Sequence, residues 1–244
     1  MSKPVKRFVI LAAPRTGSNM LCTMMQSHPD VLCHHEIFNP RDCYYALPLR
    51  NNSFHLGSVE ERDNDPLAFL DRVWENCFHY QCIGFKMTLF QQPKILQTIC
   101  EDASIHKIIL KRRANLRTYV SRLIAEKNDV WEDYRSEDVL TPPSSVFVDY
   151  QNLKSSINDN HKFYLYLDKM IIGPSTNIEY ESLFVQEERN RLLDEMGLKI
   201  HTLKEQSRQQ NPYKLSRLVE NKYQLIEIFE SNTEDEDLLH ELVS

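Results

Sequence analysis

The stretch RFVILAAPRTGSN, residues 7–19, indicates how the chain is expected to fold. Residues 8–13 form a continuous apolar run that includes β-branched and small side chains, which is typical of a strand buried on both faces in a parallel sheet. Pro14 cannot donate a hydrogen bond to a neighbouring strand, so the strand is expected to end there. Ser18 and Asn19 are helix-capping residue types, and apolar residues at helical spacing follow them. The stretch therefore predicts a strand, a tight loop and a helix.

A loop of this kind is a candidate anion site. The first backbone N–H groups of a helix lack partners within the helix and lie at the positive end of its dipole. Gly17 permits a positive φ and a close approach of the backbone, and Arg15 adds a forked cation. Short glycine-containing turns are also common between strands and helices, so an ordinary turn is an equally good interpretation of the loop alone.

Length and composition favour one globular α/β domain spanning residues 1–244, since no Gly/Ser-rich linker divides the chain. The net charge of −6 argues against general nucleic-acid binding but leaves room for a local basic pocket. No apolar run is long enough for a signal-peptide core or a membrane span. The six cysteines form no Cys-x-x-Cys pair, so we expect a reduced, cytoplasmic protein without zinc.

A cluster of titratable side chains, His34, His35 and Glu36, follows a short predicted strand over residues 31–33. Neighbours in a strand point to opposite faces, so the two histidines cannot readily chelate one metal ion. A carboxylate next to an anion site is better suited to act as a general base that takes a proton from a hydroxyl nucleophile. Taken alone, Glu36 would by default be interpreted as a solvent-facing loop residue.

Two further segments leave alternatives open. Residues 41–66 are polar and turn-rich, with a charged run over 60–65, and predict a mobile surface region that could serve as a lid. Lys86 lies near the end of a predicted strand over residues 82–87. It is either a surface lysine whose stem covers apolar side chains or a cation at the carboxyl edge of the sheet.

The second informative stretch is residues 111–122, which carry five basic side chains directly after the predicted strand IHKIIL. A parallel strand followed by a basic helix places cations at the same sheet edge as the first loop, where they could bind a second anionic group. Arg113 and Ser121 are eight residues apart, slightly over two helical turns, and share a face if the helix begins near Arg113. A solvated basic helix face is the alternative.

Taken together, residues 14–19 and the pair Arg113 and Ser121 resemble the 5′-phosphosulfate loop and the 3′-phosphate motif of sulfotransferases that use 3′-phosphoadenosine 5′-phosphosulfate (PAPS). The resemblance is strongest to the bacterial branch that includes trehalose 2-sulfotransferase. Features shared with that branch are Arg15, Glu36 with Phe38, Gly84-Phe85-Lys86, and an arginine helix ending at Trp131. The resemblance implies a three-layer α/β sandwich around a central, mainly parallel sheet, the P-loop NTPase-like sulfotransferase fold.

The resemblance also implies roles for particular residues. Five loop residues would bind the 5′-phosphosulfate: Arg15, Thr16, Gly17, Ser18 and Asn19. Arg112 or Arg113, together with Ser121, would bind the 3′-phosphate. Glu36 would be the general base, although family members with a catalytic histidine leave His34 or His35 as alternatives. Arg15 would also stabilise charge on the leaving group.

The implied reaction is sulfuryl transfer from PAPS to a hydroxyl, with 3′-phosphoadenosine 5′-phosphate (PAP) as product and no metal. The acceptor is expected to be a small molecule or a carbohydrate, selected by residues 41–66 and 131–143, and a homodimer is considered. A P-loop kinase is a rival, but it would have a Gly-Lys-Ser/Thr loop and a magnesium-binding aspartate at a strand end. Here the loop reads Gly17-Ser18-Asn19, and Lys111 follows the strand. A non-catalytic nucleotide-binding protein is the other alternative.

Overall fold

The structure is a computed structural model that describes residues 4–50, 54–132, 144–206 and 213–244. Part of the predicted lid region and most of the predicted acceptor segment 131–143 lie outside the described residues. The described chain divides into two compact units. One comprises Met1–Lys111 and Phe163–Gln206, and the other Arg112–Lys162 and Ser207–Ser244. The prediction that the whole chain is a single domain stays a prediction.

The first unit is built on a sheet of five strands in which every described pairing is parallel. The strands are β1 (Lys6–Ala12), β2 (Val31–Cys33), β3 (Cys82–Thr88), β4 (Ile105–Lys111) and β5 (Ser175–Glu179). Their order in the sheet is β2-β3-β1-β4-β5, which makes β1 the central strand. Gly84 in β3 allows β3 to pack closely against β1, because a Cβ atom at residue 84 would clash with the backbone and ring of Phe8 in β1.

Helices connect the strands and complete both units. They are α1 (Ser18–Gln26), α2 (Leu47–Arg50), α3 (Val59–Asn64), α4 (Pro66–Glu75), α5 (Pro93–Glu101), α6 (Asn115–Asn128), α7 (Tyr150–Met170), α8 (Gln186–Glu195), α9 (Leu215–Leu218), α10 (Lys222–Ser231) and α11 (Glu236–Val243). Short 3₁₀ helices cover Tyr180–Phe184 and Thr233–Asp235.

Alternate residues of β1 face two separate hydrophobic clusters. Phe8 and Ile10 belong to a cluster that includes apolar side chains of α1 and α8, whereas Val9 and Leu11 belong to one that includes side chains of α4, α5 and the end of α7. Since all four side chains are fully buried, the strand is covered on both faces. The predicted α/β class, with a parallel sheet between two helical layers, is thereby confirmed for the first unit.

The second unit has a hydrophobic cluster of its own, formed mainly by α6, the first turns of α7 and the C-terminal helices. A parallel bridge joins Val146 to Val219. Val146 precedes α7, which begins at Tyr150. Val219 lies between α9 and α10, so the bridge separates these two helices.

Tyr164 joins the carboxyl ends of two neighbouring strands in the first unit. Its hydroxyl oxygen accepts a hydrogen bond from the Ala13 N–H, at 3.0 Å, and donates one to the Leu110 carbonyl, at 2.7 Å. Burial raises the pKa of Tyr164 to about 12, so the phenol stays protonated and able to donate. Ala13 directly follows β1, and Tyr164 therefore fixes the point where the anion loop begins.

We expect Tyr164→Phe to destabilise the protein by about 2 kcal/mol, because it leaves the Ala13 N–H and the Leu110 carbonyl without this partner. Urea unfolding monitored by circular dichroism measures the change. Tyr166→Phe removes a hydroxyl from the same helix and serves as the matched control, with an expected change within about 0.5 kcal/mol. Equal effects of the two variants would contradict the bridging role.

Candidate active site

The loop between β1 and α1 has the backbone geometry of a tight turn into a helix. Arg15 and Gly17 both have positive φ, 64° and 90°, and Gly17 is the N-cap of α1. A Cβ atom on Gly17 would clash with the ring of Tyr180, so this position requires glycine. The buried Thr16 hydroxyl donates to the Ala13 carbonyl at 2.8 Å and closes the turn.

The predicted helix cap is wrong by one residue. Ser18 and Asn19 are the first two residues of α1 rather than its capping residues, and Gly17 caps the helix without a side-chain hydrogen bond. Glycine at this position leaves the N-terminal N–H groups of the helix without a side-chain cap from residue 17. The Asn19 side chain is instead directed to Lys86, whose ammonium donates to Asn19 Oδ1.

Lys86 is a buried cation at the site and not a surface lysine. Its side chain is 3% exposed, and its Nζ lies 2.7 Å from Glu36 Oε1. The residue pairs with Ile10 in the register of β3 and β1, two residues before β1 ends. Lys86 therefore connects the start of α1 to the carboxylate that the sequence singles out as a base.

Glu36 is held by three different side chains. Besides the contact of Oε1 with Lys86, its Oε2 accepts hydrogen bonds from Asn39 Nδ2 at 2.7 Å and from Gln91 Nε2 at 2.6 Å. Burial raises the pKa of Glu36, but the charge and hydrogen bond of Lys86, with the bonds from Asn39 and Gln91, outweigh it, so the pKa lies below its usual value. The carboxylate is consequently ionised at neutral pH, the form in which it can accept a proton.

The two histidines of the cluster are buried. His34 Nδ1 accepts a hydrogen bond from the Ala46 N–H at 3.1 Å, which places the ring proton on Nε2. Burial, together with the charge of His35, lowers the pKa of His34 to about 3. His34 is thus neutral, with its lone pair already used, and is a weak base. His35 lies in the segment that continues β2, where its carbonyl accepts from the Lys86 N–H at 3.2 Å.

Arg62 anchors the segment that follows Glu36. Although it lies within the charged run of the predicted lid, its side chain is 1% exposed. One guanidinium nitrogen donates to the carbonyls of Ile37 at 3.0 Å and Asn39 at 2.8 Å. The prediction that this run lies at the surface is therefore wrong for Arg62, which holds the backbone of Asn39, a residue that binds Glu36.

The residues of the predicted 3′-phosphate motif lie in the second unit. Arg112 and Arg113 precede α6, Arg113 is exposed, and Ser121 lies half-buried within the helix. The helix begins at Asn115 rather than near Arg113. The structure thus places Arg113 just before the helix that carries Ser121.

A carboxylate that the sequence analysis missed caps α6. Glu241 accepts the N–H groups of Leu116 at 3.3 Å and Arg117 at 3.0 Å. Burial raises the pKa of Glu241 above its usual value, although the helix N–H groups act in the opposite direction. No sequence signal could identify this contact, since the two partners are far apart in the chain.

Sequence reasoning also missed Asn39 and Gln91, because neither belongs to a recognisable motif.

Across residues 4–50, 54–132, 144–206 and 213–244 there is no group of three or more His, Cys, Asp or Glu side chains placed to hold a metal ion. Within the same ranges, no helix has the length and apolar character needed to cross a membrane.

Comparison with known proteins gives limited similarities. No protein-family model matches the chain. Nodulation protein H of Rhizobium meliloti (strain 1021) is 24% identical over 140 residues, which cover 57% of this chain and 56% of that protein. The alignment thus spans little more than half the length of either protein.

The solved structures that the chain is similar to include two sulfotransferases. A sulfotransferase from Alicyclobacillus acidocaldarius matches with a TM-score of 0.49 and 15% identity, over 98% of this chain and 97% of that one. Mouse sulfotransferase SULT7A1 complexed with PAP matches with a TM-score of 0.42 and 11% identity, over 82% of this chain and 60% of that one.

Replacing Lys86 by methionine would leave Glu36 buried without its cation. We expect the free energy of unfolding to fall by about 3 kcal/mol at about pH 7, since the ionised Glu36 carboxylate would remain without its compensating charge. In the wild type the lowered pKa of Glu36 stabilises the fold above the usual glutamate value of about 4.3, and this contribution disappears as the pH falls through the lower folded value.

The difference in the free energy of unfolding between wild type and Lys86→Met should therefore narrow as the pH falls from about 7 to about 4, because the Glu36 carboxyl group of the variant becomes neutral over this range. Urea unfolding at several pH values measures it. The double variant Glu36→Gln/Lys86→Met is the control and should show a smaller pH dependence than Lys86→Met alone. A difference independent of pH would contradict the electrostatic interpretation of the pair.

Proposed function

We propose that this protein is a sulfotransferase that moves a sulfuryl group from PAPS to a hydroxyl of a small molecule or carbohydrate. The observation that carries the proposal is the contact of Lys86 with both Glu36 and Asn19. This contact brings an ionised carboxylate and a buried cation to the first turn of the helix that follows the loop. A base beside an anion loop is what a hydroxyl nucleophile and an anionic donor require.

In the proposed reaction the acceptor oxygen attacks the sulfur of PAPS in line, and the bond from sulfur to the bridging oxygen of the phosphosulfate breaks. The hydroxyl proton passes to the Glu36 carboxylate. Electron density moves onto the phosphate of the departing PAP, where Arg15 and the N–H groups of residues 15–19 stabilise the negative charge. Lys86 adds a positive charge that is oriented before the substrates bind.

The choice of donor rests on the second motif. We assign the 3′-phosphate to Arg113, with Arg112 as the alternative, and to Ser121, because the order and spacing of these residues resemble the motif of PAPS-dependent sulfotransferases. Arg113 is an exposed residue that precedes α6, the helix that carries Ser121.

The contacts of Lys86 also bear on the rival activities. A P-loop kinase carries its phosphate-binding lysine within the loop, whereas this protein brings a lysine from β3 to the side chain of Asn19. A non-catalytic nucleotide-binding protein would have little need to hold Glu36 ionised in a buried position. Both features favour sulfuryl transfer. A cytoplasmic location and a homodimer stay predictions from the sequence.

Calorimetric titration with PAP tests the choice of donor. We expect PAP to bind at least about tenfold more tightly than 5′-AMP, because a phosphate paired with arginine contributes on the order of 1.5–3 kcal/mol. Arg113→Ala should reduce PAP affinity while leaving the affinity for 5′-AMP nearly unchanged. Absence of PAP binding, or equal binding of the two nucleotides, would refute the proposal.

Transfer of labelled sulfate from PAPS to a panel of hydroxylated acceptors tests catalysis. Glu36→Gln should lower kcat by about 100-fold or more and leave PAP binding nearly unchanged, since it removes the base but keeps the size of the side chain. Glu75→Gln, a change at the exposed end of α4, is the control and should retain full activity.

These measurements separate the alternatives. Full activity of Glu36→Gln would refute its assignment as the base. A wild-type protein that binds PAP tightly and sulfates no member of the panel would favour the non-catalytic binding protein.

A further inference from the structure

We propose that Gln91 is a positioning residue that, together with Asn39, selects which oxygen of Glu36 receives the proton of the acceptor. The proposal rests on the proposed function of Glu36 and deepens it. Both amides donate to the same oxygen, Oε2, at 2.6 Å from Gln91 and 2.7 Å from Asn39. Glu36 Oε1 lies on the other side of the carboxylate, 2.7 Å from Lys86 Nζ.

The count of hydrogen bonds identifies Oε1 as the proton acceptor. A carboxylate oxygen offers two lone pairs, and the two amides use both lone pairs of Oε2. Among the described residues, Lys86 is the one side chain that donates to Oε1, so a lone pair remains there for an incoming proton. Protonation of Oε2, in contrast, would require one of the two amides to leave.

Gln91 is itself oriented by the backbone. The Thr88 N–H donates to Gln91 Oε1 at 3.2 Å, which fixes the carbonyl end of the side-chain amide. The amino end then faces Glu36. An amide is suited to this position because it accepts at one end and donates at the other.

The turn that carries Gln91 is held in an unfavourable conformation. Leu89 has φ of 46°, in the left-handed region that bulky side chains rarely adopt. Its N–H donates to the Ala12 carbonyl at 3.1 Å, and its side chain packs against the hydrophobic cluster. The next residue, Phe90, places its ring 5.4 Å from that of Phe163 and 5.6 Å from that of Tyr166.

Strained backbone of this kind persists where the surrounding structure enforces it, and such residues are frequent at active sites. Here the enforced turn connects two parts of the site. Ala12 ends the strand that leads into the anion loop, and Gln91 binds Glu36. The turn therefore keeps the carboxylate in a fixed orientation relative to the end of that strand.

The test compares Gln91→Met and Gln91→Glu with wild type in the transfer assay. Gln91→Met keeps the length of the side chain but cannot donate, and we expect kcat to fall about tenfold with the KM for PAPS within about twofold. The acid limb of the pH profile should move to higher pH, because Glu36 loses a bond that favours its ionised form. Gln91→Glu places a second negative charge beside Glu36 and should move the acid limb of the pH profile to still higher pH.

Gln97→Met is the matched control. Gln97 lies on α5 and donates to an exposed carboxylate, Glu101, at 2.8 Å, so its loss removes the same kind of hydrogen bond away from the site. This variant should keep the wild-type kcat and pH profile. Thermal unfolding verifies that all three variants are folded.

Titration of the Glu36 carboxyl carbon by NMR, assigned with Glu36→Gln, gives a readout independent of turnover. A higher pKa of Glu36 in Gln91→Met than in wild type or Gln97→Met supports the proposal. An unchanged pKa, or a fall in kcat without any change of the pH profile, overturns it. If neither the wild type nor any variant transfers sulfate, the proposed function fails. In that case the positioning role is still tested separately, because a pKa of Glu36 that is the same in Gln91→Met as in wild type would overturn it.

Discussion

The ion pair between Lys86 and Glu36 is the contact on which the organisation of the site depends. Removing two charges from water costs several kcal/mol per ion, and replacing such a pair by apolar side chains is often neutral or stabilising. Stability alone therefore does not explain why this chain buries one. Three segments meet at the pair: the end of β3, the segment after β2 and, through Asn19, the first turn of α1. A charge network of this kind requires these segments to keep one relative arrangement.

Hydrogen bonds from two other side chains to backbone groups also fix the segments that contribute to the site. Tyr164 ties the end of β1 to the end of β4, and Arg62 binds the carbonyls of the segment that follows Glu36. Both side chains form hydrogen bonds with main-chain groups, which are rarely left without a partner inside a protein. The loop and the carboxylate are thus each anchored to the first unit independently of any ligand.

Much of the fold could be predicted from the sequence because its central strands are largely apolar. Residues 8–12 form a continuous apolar run, residues 105–110 are interrupted by His106 and Lys107, and both segments lie in the observed sheet. The role of Lys86 could not be derived in the same way. In a strand buried on both faces the alternation of side chains does not mark one side as solvent, so a lysine near its end fits either interpretation. Arg62, Gln91 and Glu241 were missed for another reason: their partners are set by tertiary structure and leave no local pattern.

The central position of β1 has a consequence for how the protein folds. Its neighbours are β3 and β4, and the register pairs Lys6 with Cys82 and Arg7 with Ile105. During synthesis this apolar strand leaves the ribosome before either neighbour exists, and it cannot be buried until both have been made. Folding must close long loops before the sheet gains its first pairings, which is typical of slow-folding topologies. In the cell the nascent chain thus exposes this apolar strand until both neighbours have been made, a state prone to aggregation that chaperones bind.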